Sequence, residues 1–138
     1  MNYNDENRGE IQFRKRAKQI IDFKDIRYGK ITPTDIDGFF EHADKMFVFY
    51  EFKLDDAEVP AGQKLALERI VDGLSSAGKE AVLFLCRHNI KDTEKDIKAA
   101  DTLVDKIYYN GKWHKKDKGT AKEWTDKFVR YVEGRDMN

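Results

Sequence analysis

The 138-residue chain contains a single cysteine, Cys86, which excludes an internal disulfide. Cys86 closes the apolar run Ala81-Val82-Leu83-Phe84-Leu85, where an inert buried thiol is the expectation. No apolar run approaches the length needed to cross a bilayer. Residues 1–16 are polar and lack the apolar stretch of a signal peptide. Together these features point to a reducing, cytoplasmic setting. The three histidines, His42, His88 and His114, show no metal-ligand spacing. There is no glycine-rich phosphate loop, no CxxC pair and no G-x-S-x-G elbow, so the enzyme classes built on those motifs find no support. Internal repeats, low-complexity tracts and linkers are also missing. A single domain over residues 1–138 is therefore expected, with 1–8 as a disordered tail.

Net charge is absent too, with 26 Lys and Arg against 26 Asp and Glu, which by itself argues against a nucleic-acid partner. The distribution says something different. Met1 to Ile31 carries eight basic and five acidic residues, Thr32 to Asp72 four and ten, and Asp105 to Arg130 eight and four. Basic flanks thus bracket an acidic centre. Carboxylates suit a metal and flanking cations suit phosphates, although ordinary surface charge gives the same pattern.

What is present is a sufficient core, 40% hydrophobic and 12% aromatic, arranged with clear periodicity. Phe13, Ala17, Ile20, Ile21 and Lys24 follow helical spacing and predict a first helix, broken at Tyr28-Gly29-Lys30. Ile36 to Glu41 and Met46 to Lys53 read as two strands joined by the short link His42-Ala43-Asp44-Lys45. The second strand is apolar on both faces, as expected for a central strand covered on both sides. Pro60 opens a helix striped by Leu67, Ile70, Val71 and Leu74, with Gly73 and Ser75-Ser76-Ala77-Gly78 as its stop. Glu80 to Cys86 reads as a buried strand, and Arg87 to Ala100 as polar and irregular or weakly helical. Val104 to Tyr109, Asn110-Gly111 and Lys112 to His114 form a hairpin with a type I′ turn. Thr120 caps a last helix that carries Trp124, Phe128, Val129, Tyr131 and Val132. Helix, hairpin, helix, strand, hairpin, helix is the order of an α/β sandwich, a central mixed β-sheet flanked by helices.

The first hairpin carries the chemistry. With a three-residue loop centred on Asp44, Asp37 lies opposite Glu51, and opposed side chains share a face. Lys53, two residues on, points to that face as well. Two carboxylates facing each other in a partly buried place call for a cation, and a hard one with oxygen ligands, Mg²⁺ or Mn²⁺, is the natural partner. A nearby lysine then orients or deprotonates an attacking water and stabilises a phosphorane-like transition state. One residue more or less in the turn would destroy this register.

Thr34-Asp35-Ile36-Asp37-Gly38-Phe39 followed by Phe49-Tyr50-Glu51-Phe52-Lys53 resembles the PD-(D/E)XK nuclease superfamily. Asp37 stands fourteen positions before Glu51, a typical separation there. Gly62-Gln63-Lys64-Leu65-Ala66-Leu67 resembles the helix motif of the virus-type replication-repair branch. The resemblance covers Glu10 to about Cys86. It implies a restriction-endonuclease-like three-layer sandwich and Mg²⁺- or Mn²⁺-dependent hydrolysis of phosphodiester bonds, with DNA as partner. By the same resemblance Asp37, Glu51, the Phe52 carbonyl and Glu10 bind the metal. Lys53 is the catalytic lysine, and Gln63 and Glu10 are accessory. The family's proline is replaced by Ile36. Asp35 is the rival for Asp37, at a less comfortable separation. Glu10 also has a plain reading, as the partner of Asn7 in a capping box.

Candidate nucleic-acid contacts are Lys64, then Lys112, Trp113, Lys115 and Lys116 around the second hairpin, and Arg14 and Lys18 on the first helix. The alternatives are a solvated hairpin tip and a wet helix face. A second functional reading is a catalytically inactive nuclease fold, a viral or mobile-element accessory that grips nucleic acid or a host protein. A homodimer is a third option, because junction resolvases of the superfamily work as symmetric pairs.

Overall fold

The computed structural model describes residues 14–115 and 119–136. The chain divides into two units, Met1–Thr34 and Asp35–Asn138.

In the first unit the expected amphipathic helix does not continue past Ala17. The described helix, α1, is one turn, Arg14–Ala17, and the residues through 13 lie outside the description. Ile20 and Ile21 are 91% and 76% exposed. The physical reason is that continued helix over residues 18–24 needs its apolar face buried, since tertiary packing supplies most helical stability. Local turns take over instead. The Asp22 carboxylate accepts from the Lys24 N–H, and Tyr28 and Ile31 pair around Gly29 at φ 63°.

The second unit is a mixed five-stranded sheet with helices. Its strands are β1 (Gly38–His42), β2 (Met46–Leu54), β3 (Glu80–His88), β4 (Leu103–Tyr109) and β5 (Lys112–Lys115), in that spatial order. β2 and β3 are parallel and the other neighbours antiparallel. The parallel pair needs a crossover, which α2 (Ala61–Ser76) supplies. α3 (Ala121–Asp136) follows β5. The alternation of β2 and β3 sorts their side chains onto two faces. Phe49, Ala81, Leu83 and Tyr108 pack with Leu67 and Val71 of α2. Val48, Val82, Phe84, Cys86 and Val104 pack with Ala121 and Val132 of α3. One helix therefore covers each face.

Local chemistry explains the boundaries. Ala43 and Asp44 take left-handed conformations at φ 52° and 58°, and the Lys45 N–H donates to the His42 carbonyl. Asp44 also pairs with Lys79, and the Glu80 N–H donates to the Lys45 carbonyl, so the turn is tied to the start of β3. Asn110 and Gly111, at φ 52° and 76°, make the expected type I′ turn. Thr120 and Glu123 form a reciprocal capping box at the head of α3: each side chain accepts from the other's N–H, at 3.2 and 3.1 Å. Gly78 at φ 84° follows α2, whereas Gly73 lies inside that helix rather than ending it. Ile70 of the expected apolar stripe faces outward. Cys86 is fully buried, and burial pushes its thiol up to about 12, so it is the inert thiol the sequence implied.

Candidate functional site

The register of the first hairpin pairs Gly38 with Tyr50, Phe39 with Phe49 and His42 with Met46, which is the pairing centred on Asp44. Continued by one residue, it sets Asp37 against Glu51. Asp37 stands just before β1 begins, where the backbone partner of β2 runs out. Its carboxylate takes over that role: Asp37 Oδ2 accepts the Phe52 N–H at 2.8 Å. The N–H and C=O of one strand residue point to the same edge. The Phe52 carbonyl therefore faces the same opening beyond β1.

Glu51 is the most unusual residue in the molecule, a carboxylate only 2% exposed and set in an apolar strand. Both of its oxygens are engaged. Lys53 Nζ lies 3.2 Å from Oε1, and Gln63 Nε2 donates to Oε2 at 3.2 Å. Gln63 also donates to the Asp35 carbonyl at 3.2 Å, so one amide links α2, β2 and the approach to β1. Gln63 reaches this place because it lies one turn before Leu67 on the inward side of α2. Burial raises the Glu51 pKa above the usual carboxylate range. Repulsion from Asp37 adds to the rise, and Lys53 opposes it. The buried charge is thus only partly compensated by one lysine and one amide.

Asp37, Glu51, Lys53 and Gln63 meet at one place. Asp35 takes part through its backbone carbonyl, and the carboxylate that acts on Glu51 is that of Asp37. Glu10 and Lys116 lie outside the described residues. Arg14 and Lys18 are exposed residues of the first unit. Among the described residues no group of three or more His, Cys, Asp or Glu side chains is placed to hold a metal.

A cleft of about 330 Å³ opens beside Glu51, floored by Leu83 and Leu85 and bordered by Glu58, Lys64, Arg87, Lys106 and Trp113. Trp113 is not the free tip of a solvated hairpin. Its Nε1 donates to Glu68 of α2 at 2.6 Å, its ring packs on Tyr108 at 5.1 Å, and Lys64 Nζ sits 5.1 Å above it. Lys112 and Lys115 are exposed.

Arg87 and Lys106 escaped the sequence reading. Arg87 is the last inward residue of β3 rather than part of an irregular segment, and it pairs in register with Lys53. It binds Asp105 and the Ala57 carbonyl. A usable signal existed: β2, a helix and β3 make a parallel crossover, and the carboxyl ends of parallel strands gather at one rim, where ligands bind in open α/β sheets. Lys106 becomes visible only through the cross-strand register, which pairs it with Leu85.

No family model matches the chain, and no curated protein or solved structure shows significant similarity to it.

Proposed function

We propose that the chain is a metal-dependent nuclease of the PD-(D/E)XK type with a restriction-endonuclease-like fold, hydrolysing DNA phosphodiester bonds. The observation that carries this reading is the convergence of Asp37, buried Glu51, Lys53 and Gln63 at the open end of the first hairpin. The donor set fits a small divalent cation. Mg²⁺ commonly takes one or two protein carboxylates and completes its shell with water and substrate phosphate. Asp37, Glu51 and the Phe52 carbonyl would hold it, and the repulsion between two neighbouring carboxylates, only partly compensated by Lys53, is what such an ion relieves. When bound, the cation supplies Lewis-acid polarisation of a phosphoryl oxygen. Lys53 Nζ stands 3.2 Å from Glu51 Oε1, placed to orient a water and to offset charge that develops on the phosphate. Gln63 fixes the second Glu51 oxygen, so the carboxylate cannot swing away. Lys64 lines the cleft and would hold a strand by its phosphate; Lys115 lies on the same sheet face, whereas Lys112, the partner of Tyr109, lies on the opposite face.

No helix among the described residues is long and apolar enough to cross a membrane. The proposed setting is the cytoplasm, in keeping with the single buried thiol.

Purified protein is expected to cleave DNA with Mg²⁺ or Mn²⁺, and Lys53→Ala to abolish cleavage. A wild-type chain inert on single-stranded, duplex and branched DNA would sink the catalytic claim. One observation favours a second reading, a nuclease fold that only binds: the described acidic cluster stops at two carboxylates. Metal titration separates the two. A melting temperature raised by Mn²⁺ and returned to baseline by Asp37→Asn supports the enzyme, whereas no response to any divalent ion supports the binding module. Molecular mass in solution tests the homodimer.

A further inference from the structure

The register places two cations face to face beside the candidate site. Lys106 of β4 is the partner of Lys115 of β5. Both lie on the face that carries Tyr108 and Trp113, two residues along each strand. Directly opposed like charges in an antiparallel pair destabilise it. Among the described residues no ion pair to either lysine is present. The arrangement makes sense if an anion sits between them.

The position of that anion relative to the carboxylates is fixed by the sheet. Glu51 pairs with Leu85 and Leu85 with Lys106, so the Lys106 backbone stands two strands from Glu51, roughly 10 Å across the sheet. Between them the floor is apolar, Leu83 and Leu85, and Trp113 stands at the far side. The far end is closed, because the Trp113–Glu68 hydrogen bond and Lys64 over the indole tie β5 to α2. A volume of about 330 Å³ is at the small end of ligand pockets and matches a single nucleotide, and the closed far end gives that nucleotide no room to continue past Trp113.

We propose that this cleft receives the terminal, unpaired nucleotide of a DNA strand, its base over Leu83, Leu85 and Trp113 and its phosphate between Lys106 and Lys115. The proposal deepens the nuclease reading and rests on it for its meaning: the substrate has a free end. Glu58 and Glu51 are the acids that line the cleft, so in the absence of a cation a phosphate is favoured on the lysine side.

The test is binding, done in chelator so that no cleavage is involved. Trp124→Phe leaves Trp113 as the only indole. Thymidine 5′-monophosphate is expected to quench its fluorescence, and Lys106→Ala or Lys115→Ala to weaken binding about tenfold, the loss of one charge-assisted phosphate contact. Calorimetry on the wild-type chain gives the same comparison should the Trp124 variant fold poorly. A linear oligothymidylate with phosphorylated ends is expected to quench as the mononucleotide does, and a circular one of the same length not to. Equal quenching by the circle overturns the terminal reading. Equal affinity for inorganic phosphate overturns the nucleotide reading, and unchanged affinity in both lysine variants overturns the proposal whole. A chain that binds the mononucleotide yet never cleaves DNA would refute the nuclease function and leave this pocket standing.

Discussion

Replacing Glu51 by glutamine has opposite consequences with and without a divalent cation. In chelator at neutral pH, Glu51 is a charged group only 2% exposed beside a second carboxylate. At an effective dielectric of about 20, two like charges about 4 Å apart cost about 4 kcal/mol, and an opposite charge at the Lys53 distance returns a similar amount. Those contributions nearly cancel. What remains is the desolvation of the carboxylate, the largest cause of its raised pKa. Glutamine keeps the shape and an acceptor for Gln63 and removes that cost. Removing one partner of a buried pair is costly when the other charge stays buried, but Lys53, 24% exposed, keeps its solvent, so relief of the Glu51 desolvation should leave a gain of about 1 kcal/mol. For a domain of this size about 1 kcal/mol moves the melting temperature by about 4 °C, so Glu51→Gln should melt higher than wild type in chelator.

The sign with pH follows from the raised pKa. The folded protein binds the Glu51 proton more tightly than the unfolded chain. The contribution of Glu51 is therefore fully present below the ordinary glutamate value of 4.5 and is lost as pH rises through the folded value. The advantage of Glu51→Gln should shrink to nothing as pH falls to that ordinary value. With Mn²⁺ at about 100 times its Kd, binding adds about 2.7 kcal/mol to the wild type and little to the variant, and the order reverses. Thermal unfolding in chelator and in Mn²⁺ reads all of this. A variant less stable than wild type in chelator at neutral pH would show that the Glu51 carboxylate is satisfied where it stands, and the reasoning would fail.

Lys53→Ala should lower cleavage by at least about a hundredfold, as losing a preorganised donor to transition-state charge does, while DNA binding measured by anisotropy changes little. Gln63→Ala leaves Glu51 Oε2 buried without its donor; thermal unfolding in chelator should show a loss of about 1 kcal/mol or more. Thr120→Ala removes one half of the α3 capping box, on the face away from the site, and should lower the melting temperature by about 4 °C with cleavage per folded molecule unchanged.

Much of the second unit was legible because its local signals agree with its packing. The apolar run of Met46 to Lys53, the Asn110-Gly111 turn and the Thr120 cap each specify geometry within a few residues, and each appears where the sequence puts it. The hairpin register was legible for the same reason: a short loop around Asp44 leaves few ways to pair the strands. The first helix was misread because periodicity reports which face would be buried, not whether anything is there to bury it; Ile20 and Ile21 stay exposed. The solvated-tip alternative for the second hairpin fails at Trp113 because its partners, Glu68 and Lys64, lie forty-odd positions earlier on another element. Arg87 and Lys106 join the cleft through a parallel crossover and a cross-strand pairing, neither of which a single sequence displays.

The central claim is that the Asp37–Glu51 pair at the open end of the first hairpin is a divalent-cation site. Anomalous diffraction from crystals soaked in Mn²⁺ addresses it most directly. The account predicts one strong peak about 2.1 Å from carboxylate oxygens of both Asp37 and Glu51. A peak elsewhere, or none at saturating Mn²⁺, would contradict it.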